Sequence, residues 1–444
     1  MISAHHTGYA AELKHKIESH SAIVGVVGLC YVGLPFAVEK AKVGFRVIGV
    51  EQNPKRAERI GRAESYIGDV RDEELEQVVN GGRLSAVTDF ETVAEMDVVV
   101  ICVPTPLTRN LTPDLSYVES VTRDIARRLR PGQLVSLEST TYPGTTDELM
   151  RPILEGLSGL EQGKGFYLAH SPERVDPGNK RYTTKNTSKV VGASDPSSLE
   201  LAVSFYGQTI DRVVPVSSAK AAELVKVFEN TFRAVNIALV NELALLCDRM
   251  DLDVWEVLDA ANTKPFGIMP FYPGPGVGGH CIPIDPHYLE WKAKEVGFNT
   301  RFIALAGEIN RRMPEFVRTK AWRVLNELGL APSRARVLVI GAAYKKDLGD
   351  WRESPAVRVI ENLLEDKASV LYHDPHVPEM KVADQSFSSV DLSDEVLEEV
   401  DLVIIITDHS AIDFDRVIAK ASAVLDTRGV SRHRHAANPK VTLL

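Results

Sequence analysis

Cys281 and Asp285 stand four residues apart in a turn rich in glycine and proline, Pro273-Gly-Pro-Gly-Val-Gly-Gly-His-Cys-Ile-Pro-Ile-Asp285. Backbone of that composition can approach a ligand closely, because glycine carries no Cβ. A thiol held beside a hydride acceptor can carry an alcohol, through a captured aldehyde, to a carboxylate. A hydride acceptor without a nucleophile usually stops at the carbonyl. The alternative for Cys281 is a small buried side chain in a structural loop. Lys226 and Asn230 also lie four apart, in a segment otherwise rich in Ala, Leu and Val, and so share a helix face. A lysine there can stabilise a developing oxyanion, with the asparagine as a neutral hydrogen-bond partner. The alternative is a solvated stripe.

Near the start, Gly28-Leu-Cys-Tyr-Val-Gly33 follows an apolar run and opens a helical pattern. A tight turn of this kind delivers a pyrophosphate to a helix N-terminus, where unpaired N–H groups and the helix dipole favour negative charge. Cys30 replaces the usual middle glycine, so a side chain is expected where backbone should approach phosphate. Glu51 ends the next strand, about 20 residues on, where an acid binds the adenosine ribose hydroxyls. A carboxylate there repels a 2′-phosphate, which favours NAD over NADP. Glu138-Ser-Thr-Thr-Tyr-Pro-Gly-Thr-Thr146 follows a strand and is crowded with hydroxyls, as ligand loops at strand ends in open α/β sheets can be. Glu173 and Asp176 lie in the proline-bounded loop Ser171-Pro-Glu-Arg-Val-Asp-Pro-Gly-Asn179; either acid suits water or proton handling, or a turn. Tyr344-Lys-Lys-Asp-Leu-Gly-Asp-Trp-Arg-Glu-Ser-Pro355 supplies cations suited to a phosphate-bearing ligand. Arg432-His-Arg-His435 reads as a solvated tail, and no metal site is expected.

Strands alternating with helices must position these groups. Residues 23–28, 45–51, 97–103 and 134–138 read as strands, with a helix at 32–43; residues 1–20 are polar and suit a short amphipathic helix. Such alternation predicts a parallel sheet covered on both faces. Residues 219–251 carry apolar side chains at three- and four-residue intervals, with no proline or glycine. That predicts one helix of roughly 45 Å at 1.5 Å per residue, a spine whose apolar faces suit a dimer. The βα texture returns after Pro332, with strands at 336–340, 369–373, 402–407 and 424–425. The fold class is α/β: two Rossmann-like doubly wound domains joined by a long central helix and a helical middle domain. The expected boundaries are 1–216 for the dinucleotide-binding domain, 217–325 for the helical domain with the cysteine turn, and 326–444 for the second nucleotide-type domain.

At 444 residues the chain exceeds one hydrophobic core. A net charge of −10 argues against nucleic acid. Cys30, Cys102, Cys247 and Cys281 are too scattered for a disulfide framework or ligand pairs, which suggests a reducing compartment. The apolar runs are strand-sized, too short for a bilayer, and the N-terminus lacks a signal-peptide run. A cytoplasmic enzyme is expected.

Six ordered motifs resemble the UDP-sugar 6-dehydrogenases of the UDP-glucose/GDP-mannose dehydrogenase family, over nearly the whole chain. They are Gly28-Leu-Cys-Tyr-Val-Gly-Leu-Pro35, Val103-Pro-Thr-Pro106, the Glu-Ser-Thr-Thr loop with Ser-Pro-Glu-Arg, Lys226 with Asn230, Gly278-Gly-His-Cys-Ile-Pro-Ile-Asp285, and Tyr344-Lys-Lys-Asp with Arg352. The Ser-Pro-Glu-Arg-Val-Asp-Pro-Gly-Asn loop is most similar to enzymes acting on N-acetylated sugars such as UDP-N-acetylglucosamine. UDP-glucose enzymes typically place a second glutamate where this chain has Pro177, so only Glu173 carries over.

The resemblance implies a four-electron oxidation with NAD, through a Cys281 thiohemiacetal and thioester, that serves surface polysaccharide precursors. Lys226 and Asn230 would stabilise the oxyanion, Asp285 would position or activate water, and Thr140 and Glu173 would hold water and the sugar end. Cofactor contacts would come from Gly28, Cys30, Tyr31, Val32, Gly33, Glu51, Arg56, Val103, Thr105, Thr140 and Arg352. Substrate contacts would come from Glu173, Arg174, Lys226, Asn230, Phe271, Tyr272, Gly274, Gly276, Gly278, Tyr344 and Lys345. It also implies a homodimer through the central helix. UDP-glucose as substrate, a single-step hydroxyacid-type dehydrogenase, and a non-catalytic nucleotide-sugar binding protein are the alternatives. The cysteine turn and the second α/β domain weigh against a single-step enzyme, and the retained Cys281, Lys226 and Asp285 against a mere binder.

Overall fold

The computed structural model describes residues 3–108, 110–176, 179, 181–279, 281–433 and 438–444. Pro177, Gly178, His280, Arg434 and His435, which belong to motifs quoted above, lie outside the described residues. The chain forms two compact units, residues 1–229 with 291–297, and residues 230–290 with 298–444.

In the first unit, α1 (Ser3–Glu18) precedes β1 (Ile23–Val27), α2 (Gly33–Lys42) and β2 (Arg46–Val50). There follow α3 (Pro54–Gly61), α4 (Asp72–Asn80), β3 (Leu84–Val87), β4 (Val98–Ile101), α5 (Ser116–Ala126) and β5 (Leu134–Leu137). Then come α6 (Arg151–Ser158), β6 (Tyr167–His170), β7 (Lys189–Ala193), α7 (Pro196–Gly207) and β8 (Val213–Val216). The strands make one sheet in the order β3-β2-β1-β4-β5-β6-β7-β8, parallel except where β6 meets β7. Its first six strands have the 3-2-1-4-5-6 order of dinucleotide-binding sheets, with a switch point between β1 and β4. Val24, Val26, Val47, Val98 and Val100 face one apolar layer, and Val27, Ile48, Val50, Val99 and Ile101 the other. Burial on both faces explains why these strands read as unbroken apolar runs. The polar N-terminal helix still contributes Leu13 and Ile17 to the core.

The helix α8 (Ala219–Met250) crosses from the first unit to the second. It stops where Asp251 turns left-handed at φ +54. After it come α9 (Val254–Asn262), α10 (Asp285–Glu295) and α11 (Arg301–Glu327). The remaining elements are β9 (Arg336–Ile340), α12 (Pro355–Glu365), β10 (Ser369–His373), the hairpin β11 (Glu379–Val382) and β12 (Gln385–Ser388), and α13 (Asp394–Glu399). Last are β13 (Leu402–Ile405), α14 (Phe414–Lys420), β14 (Val424–Asp426) and β15 (Val441–Leu443). A parallel five-stranded sheet orders β10-β9-β13-β14-β15. Counted within that sheet the order is 2-1-3-4-5, the other common doubly wound arrangement. Among the described residues, no helix is long and apolar enough to cross a membrane.

Candidate active site

The turn after β1 is built for close backbone approach. Gly28 has φ +89, and a Cβ on it would lie 2.4 Å from the Cys102 carbonyl oxygen. A Cβ on Gly33 would lie 1.9 Å from the Gly28 oxygen. Both positions therefore require glycine. Cys30 does not obstruct the turn as expected: its thiol folds back and donates to the Cys102 carbonyl at 3.3 Å. No side chain caps α2, which leaves its first turn to an anion. Glu51 is buried; its Oε2 accepts from the Leu29 N–H at 3.2 Å and its Oε1 from the Asn53 N–H at 3.0 Å. Tyr31 is exposed and Val32 half-buried beside this turn. Arg56 lies 5.5 Å above the Tyr66 ring, whose hydroxyl donates to the Leu29 carbonyl at 2.5 Å.

The ends of β4 and β5 are laced together. Ser139 Oγ accepts from the Val103 N–H at 2.9 Å and donates to the Val103 carbonyl at 2.7 Å. Thr105 Oγ1 donates to the Thr140 carbonyl at 2.7 Å. Gly28, Cys30, Tyr31, Val32, Gly33, Glu51, Arg56, Val103, Thr105 and Thr140 thus belong to one end of the first sheet. The cradle that added Cβ atoms would fill, and the uncapped α2, fit a dinucleotide.

The first unit also holds Glu173, Arg174 and Lys226. Glu173 Oε1 accepts from the Arg174 and Val175 N–H groups, each at 2.7 Å, and its Oε2 accepts from Lys189 at 3.0 Å. Lys189 Nζ also donates to Glu138 at 3.0 Å. Burial pushes the Glu173 carboxyl up, but the Lys189 ammonium and the backbone donors outweigh it and hold the group below the usual range. Arg174 is occupied structurally, paired with Glu229 at 2.5 Å and bonded to the Ser188 carbonyl at 2.6 Å. Lys226 and Asn230 are buried on α8, so they are not a solvated stripe. One turn before Lys226, buried Glu223 accepts from the Gly144 N–H at 2.5 Å and from the Thr146 N–H and hydroxyl at 2.8 and 2.7 Å.

The second unit holds the thiol. Cys281 is exposed, which excludes the packed structural cysteine. Its carbonyl accepts from the Ile284 and Asp285 N–H groups at 3.1 and 2.8 Å, forming the turn that starts α10. The dipole at such a helix start favours negative charge. Asp285 is buried, and its Oδ2 accepts from Asn230 Nδ2 at 2.5 Å. Arg233 donates to the Asn230 oxygen at 2.6 Å, which orients the amide.

The glycines of the turn are packing requirements. Gly274 donates to Asn241 at 3.0 Å. A Cβ on Gly278 would lie 2.8 Å from the Glu353 oxygen, Pro355 and Tyr344, and one on Gly276, at φ +138, would lie 3.3 Å from Pro355. Tyr344 is therefore brought against the turn, with Lys345 beside it, both half-buried. Phe271 meets Phe232 edge-on at 6.1 Å. Tyr272 stacks on Trp255 at 5.6 Å and donates its hydroxyl to Asp259 at 2.7 Å. Arg432 covers that ring at 4.6 Å and pairs with Asp259 at 3.6 Å. Arg432 is thus packed against aromatic rings, not part of a solvated tail. Arg352 pairs with Asp350 at 2.7 Å.

Asp347, His376 and His409 lie close enough to resemble metal ligands. Both His409 nitrogens are already engaged, Nδ1 with the Asp347 N–H at 3.0 Å and Nε2 with Asp374 at 2.9 Å. The group is a clamp on the loop that carries Tyr344 and Lys345.

Sequence reasoning overlooked Lys189 and Glu223. A lysine heading an apolar strand was the available signal for the first. The second had none beyond its place one turn before Lys226.

Three models of one protein family match the chain in succession. Residues 22–210 match the NAD binding domain of the UDP-glucose/GDP-mannose dehydrogenase family, 220–312 its central domain and 338–433 its UDP binding domain. The UDP-N-acetyl-D-mannosamine dehydrogenase of Pyrococcus horikoshii is 37% identical over 387 residues, 87% of this chain and 89% of that protein. The UDP-N-acetyl-D-glucosamine 6-dehydrogenase of Pseudomonas aeruginosa is 37% identical over 355 residues, 80% of this chain and 83% of that protein. The solved structure of the Pyrococcus horikoshii UDP-D-ManNAc dehydrogenase superposes with a TM-score of 0.84 at 34% identity, covering 91% of this chain and 95% of that one. The chain belongs to the UDP-glucose/GDP-mannose dehydrogenase family and is an NAD-dependent UDP-sugar dehydrogenase.

Proposed function

We propose that the protein oxidises the C6 alcohol of a UDP-N-acetylhexosamine to the uronic acid, using Cys281 as a covalent nucleophile. The observation that carries this reading is an exposed thiol at the start of α10, four residues from an acid held by Asn230. The names of the two relatives above support an N-acetylated sugar and differ in which one.

Bound NAD supplies the hydride acceptor for both oxidations. The Gly28 turn and α2 would hold the pyrophosphate and Glu51 the ribose, with Arg352 reaching the cofactor as well. Loss of one hydride and one proton takes the alcohol to the aldehyde. Cys281 Sγ then adds to that carbon, and Lys226 with Asn230 steadies the oxygen that gains charge. Loss of a second hydride leaves a thioester. Water held by Thr140, Glu173 and Asp285 cleaves the C–S bond, returns the thiol and releases the carboxylate.

In this reading residues 1–216 serve NAD, 217–325 the chemistry and dimerisation, and 326–444 the UDP-sugar. Arg174, Phe271, Tyr272, the turn glycines, Tyr344 and Lys345 would shape the substrate site. Scattered reduced cysteines fit work in the cytoplasm, and the product class fits precursors of surface polysaccharide. The test is an NADH count against UDP-N-acetylglucosamine, UDP-N-acetylmannosamine, UDP-N-acetylgalactosamine and UDP-glucose, with product mass measured. Two NADH per N-acetylated sugar and a uronate mass are expected. One NADH per sugar would point to a single-step enzyme, and turnover of UDP-glucose alone would overturn the substrate.

A further inference from the structure

Three charged side chains are buried together in the first unit. Glu138, at the end of β5, is fully buried, Lys189, heading β7, is 4% exposed, and Glu173, after β6, is 15% exposed. Lys189 Nζ stands 3.0 Å from an oxygen of each acid. The rings of Tyr206 and Phe36 lie 5.5 and 5.9 Å from the same ammonium. A lone ammonium buried this deeply would shed its proton; two flanking carboxylates keep it charged. Burial lowers Lys189, but Glu138 and Glu173 outweigh it and raise the group above the ordinary lysine range. The two acids are not equivalent. Glu173 has two backbone donors besides Lys189, whereas Glu138 Oε1 is buried with no hydrogen-bond partner. Burial accordingly raises Glu138, and the repulsion of Glu173 adds to it, against the pull of Lys189.

We propose that Lys189 is a positioning residue for thioester hydrolysis, fixing the Glu173 carboxylate and fastening its loop to the strand end that leads into Thr140. This rests on the reading of Glu173 and Thr140 given above. Other groups near the cluster are engaged elsewhere or uncharged. Arg174 is committed to Glu229 and Ser188. His170 is buried with both nitrogens lacking partners and is held neutral, pushed down to about 3 by burial and by Lys189. Lys40 is turned to the Phe205 carbonyl. Cys102 and Tyr206 are buried and pushed up, so neither bears charge near pH 7.

The experiment uses the full chain as Glu138→Gln/Lys189→Met, which keeps the cluster's net charge, and as Lys189→Arg, which keeps the cation. Without the ammonium, burial dominates Glu173 and its pKa rises, so the acid limb of kcat should move up by about one pH unit or more. At pH 7 kcat should fall about tenfold or more, with KM for NAD within about twofold of the parent. Lys189→Arg should restore the parental pH profile. A folded double variant with parental kcat and pH profile would overturn the proposal. Should that variant not fold, the parent is compared with Glu173→Gln by infrared titration. A protonated-carboxyl band that belongs to Glu173 and is present at neutral pH would also overturn it; its appearance only in acid supports it. Because this titration needs no turnover, a parent inactive on every UDP-sugar would sink the functional reading and still leave Lys189 judged.

Discussion

In the proposed mechanism Cys281 acts only as the nucleophile, so replacing it separates the two oxidations. Cys281→Ser should cut uronate formation by at least about three orders of magnitude, since removing the nucleophile of a covalent enzyme can cost about 10⁶ in kcat. NAD binding, followed by calorimetry, should be unchanged. Lys40 tests a different balance. Its ammonium is buried against the Phe205 ring at 3.7 Å and, among the described residues, bonds the Phe205 carbonyl alone, at 2.5 Å. Burial lowers its pKa well below 10.5, with Glu138 opposing and Lys189 assisting. Lys40→Met should therefore raise unfolding free energy by about 1 kcal/mol at pH 7. Between the lowered pKa and 10.5 the unfolded chain binds more protons than the folded one. Parental stability must then rise with pH across that window, closing the gap; denaturant midpoints at pH 7 and pH 9 check both signs. The cysteine turn and its exposed thiol were legible in the sequence because the residues that form them are contiguous. The Lys189 cluster was not, because its members lie 16 and 51 positions apart and meet only across strands.

At the scale of elements, α8 reads directly from periodicity, 219–251 against the observed Ala219–Met250. Its end falls where Asp251 adopts a left-handed backbone. What the helix does for the hydroxyl-rich loop was hidden. Glu223 caps the backbone at Gly144 and Thr146, in a segment where Gly144 has φ +111. Glu223→Ala strands those donors in a buried place and should cost about 2–3 kcal/mol. Burial pushes the Glu223 carboxyl up to about 7, against its Thr146 and Gly144 donors. The folded chain then holds a proton that the unfolded chain releases near 4.5. Parental stability should fall as pH rises from about 4.5 to 7, and the variant should lack that slope. Thermal unfolding across the range reads this out.

For the whole molecule, α8 presents Leu224, Phe228, Phe232, Leu239, Leu246 and Met250 to solvent. An exposed apolar stripe of that length suits a protein interface, in keeping with the proposed homodimer. Phe232→Glu/Leu239→Glu should give a monomer in sedimentation analysis; a parent already monomeric would refute the dimer. The chain's own letters determined the alternation of strand and helix, the long helix, the phosphate turn and the cysteine turn. Each is a local pattern, set by side-chain period and by where glycine is needed. Only the fold decided that Cys30 turns inward, that Arg432 packs on Tyr272 and that Asn230 grips Asp285. It also decided that β7 runs against β6 and so delivers Lys189 between two acids. Those facts depend on contacts between residues distant in the chain, and their energies come from burial and charge that exist only once the layers close.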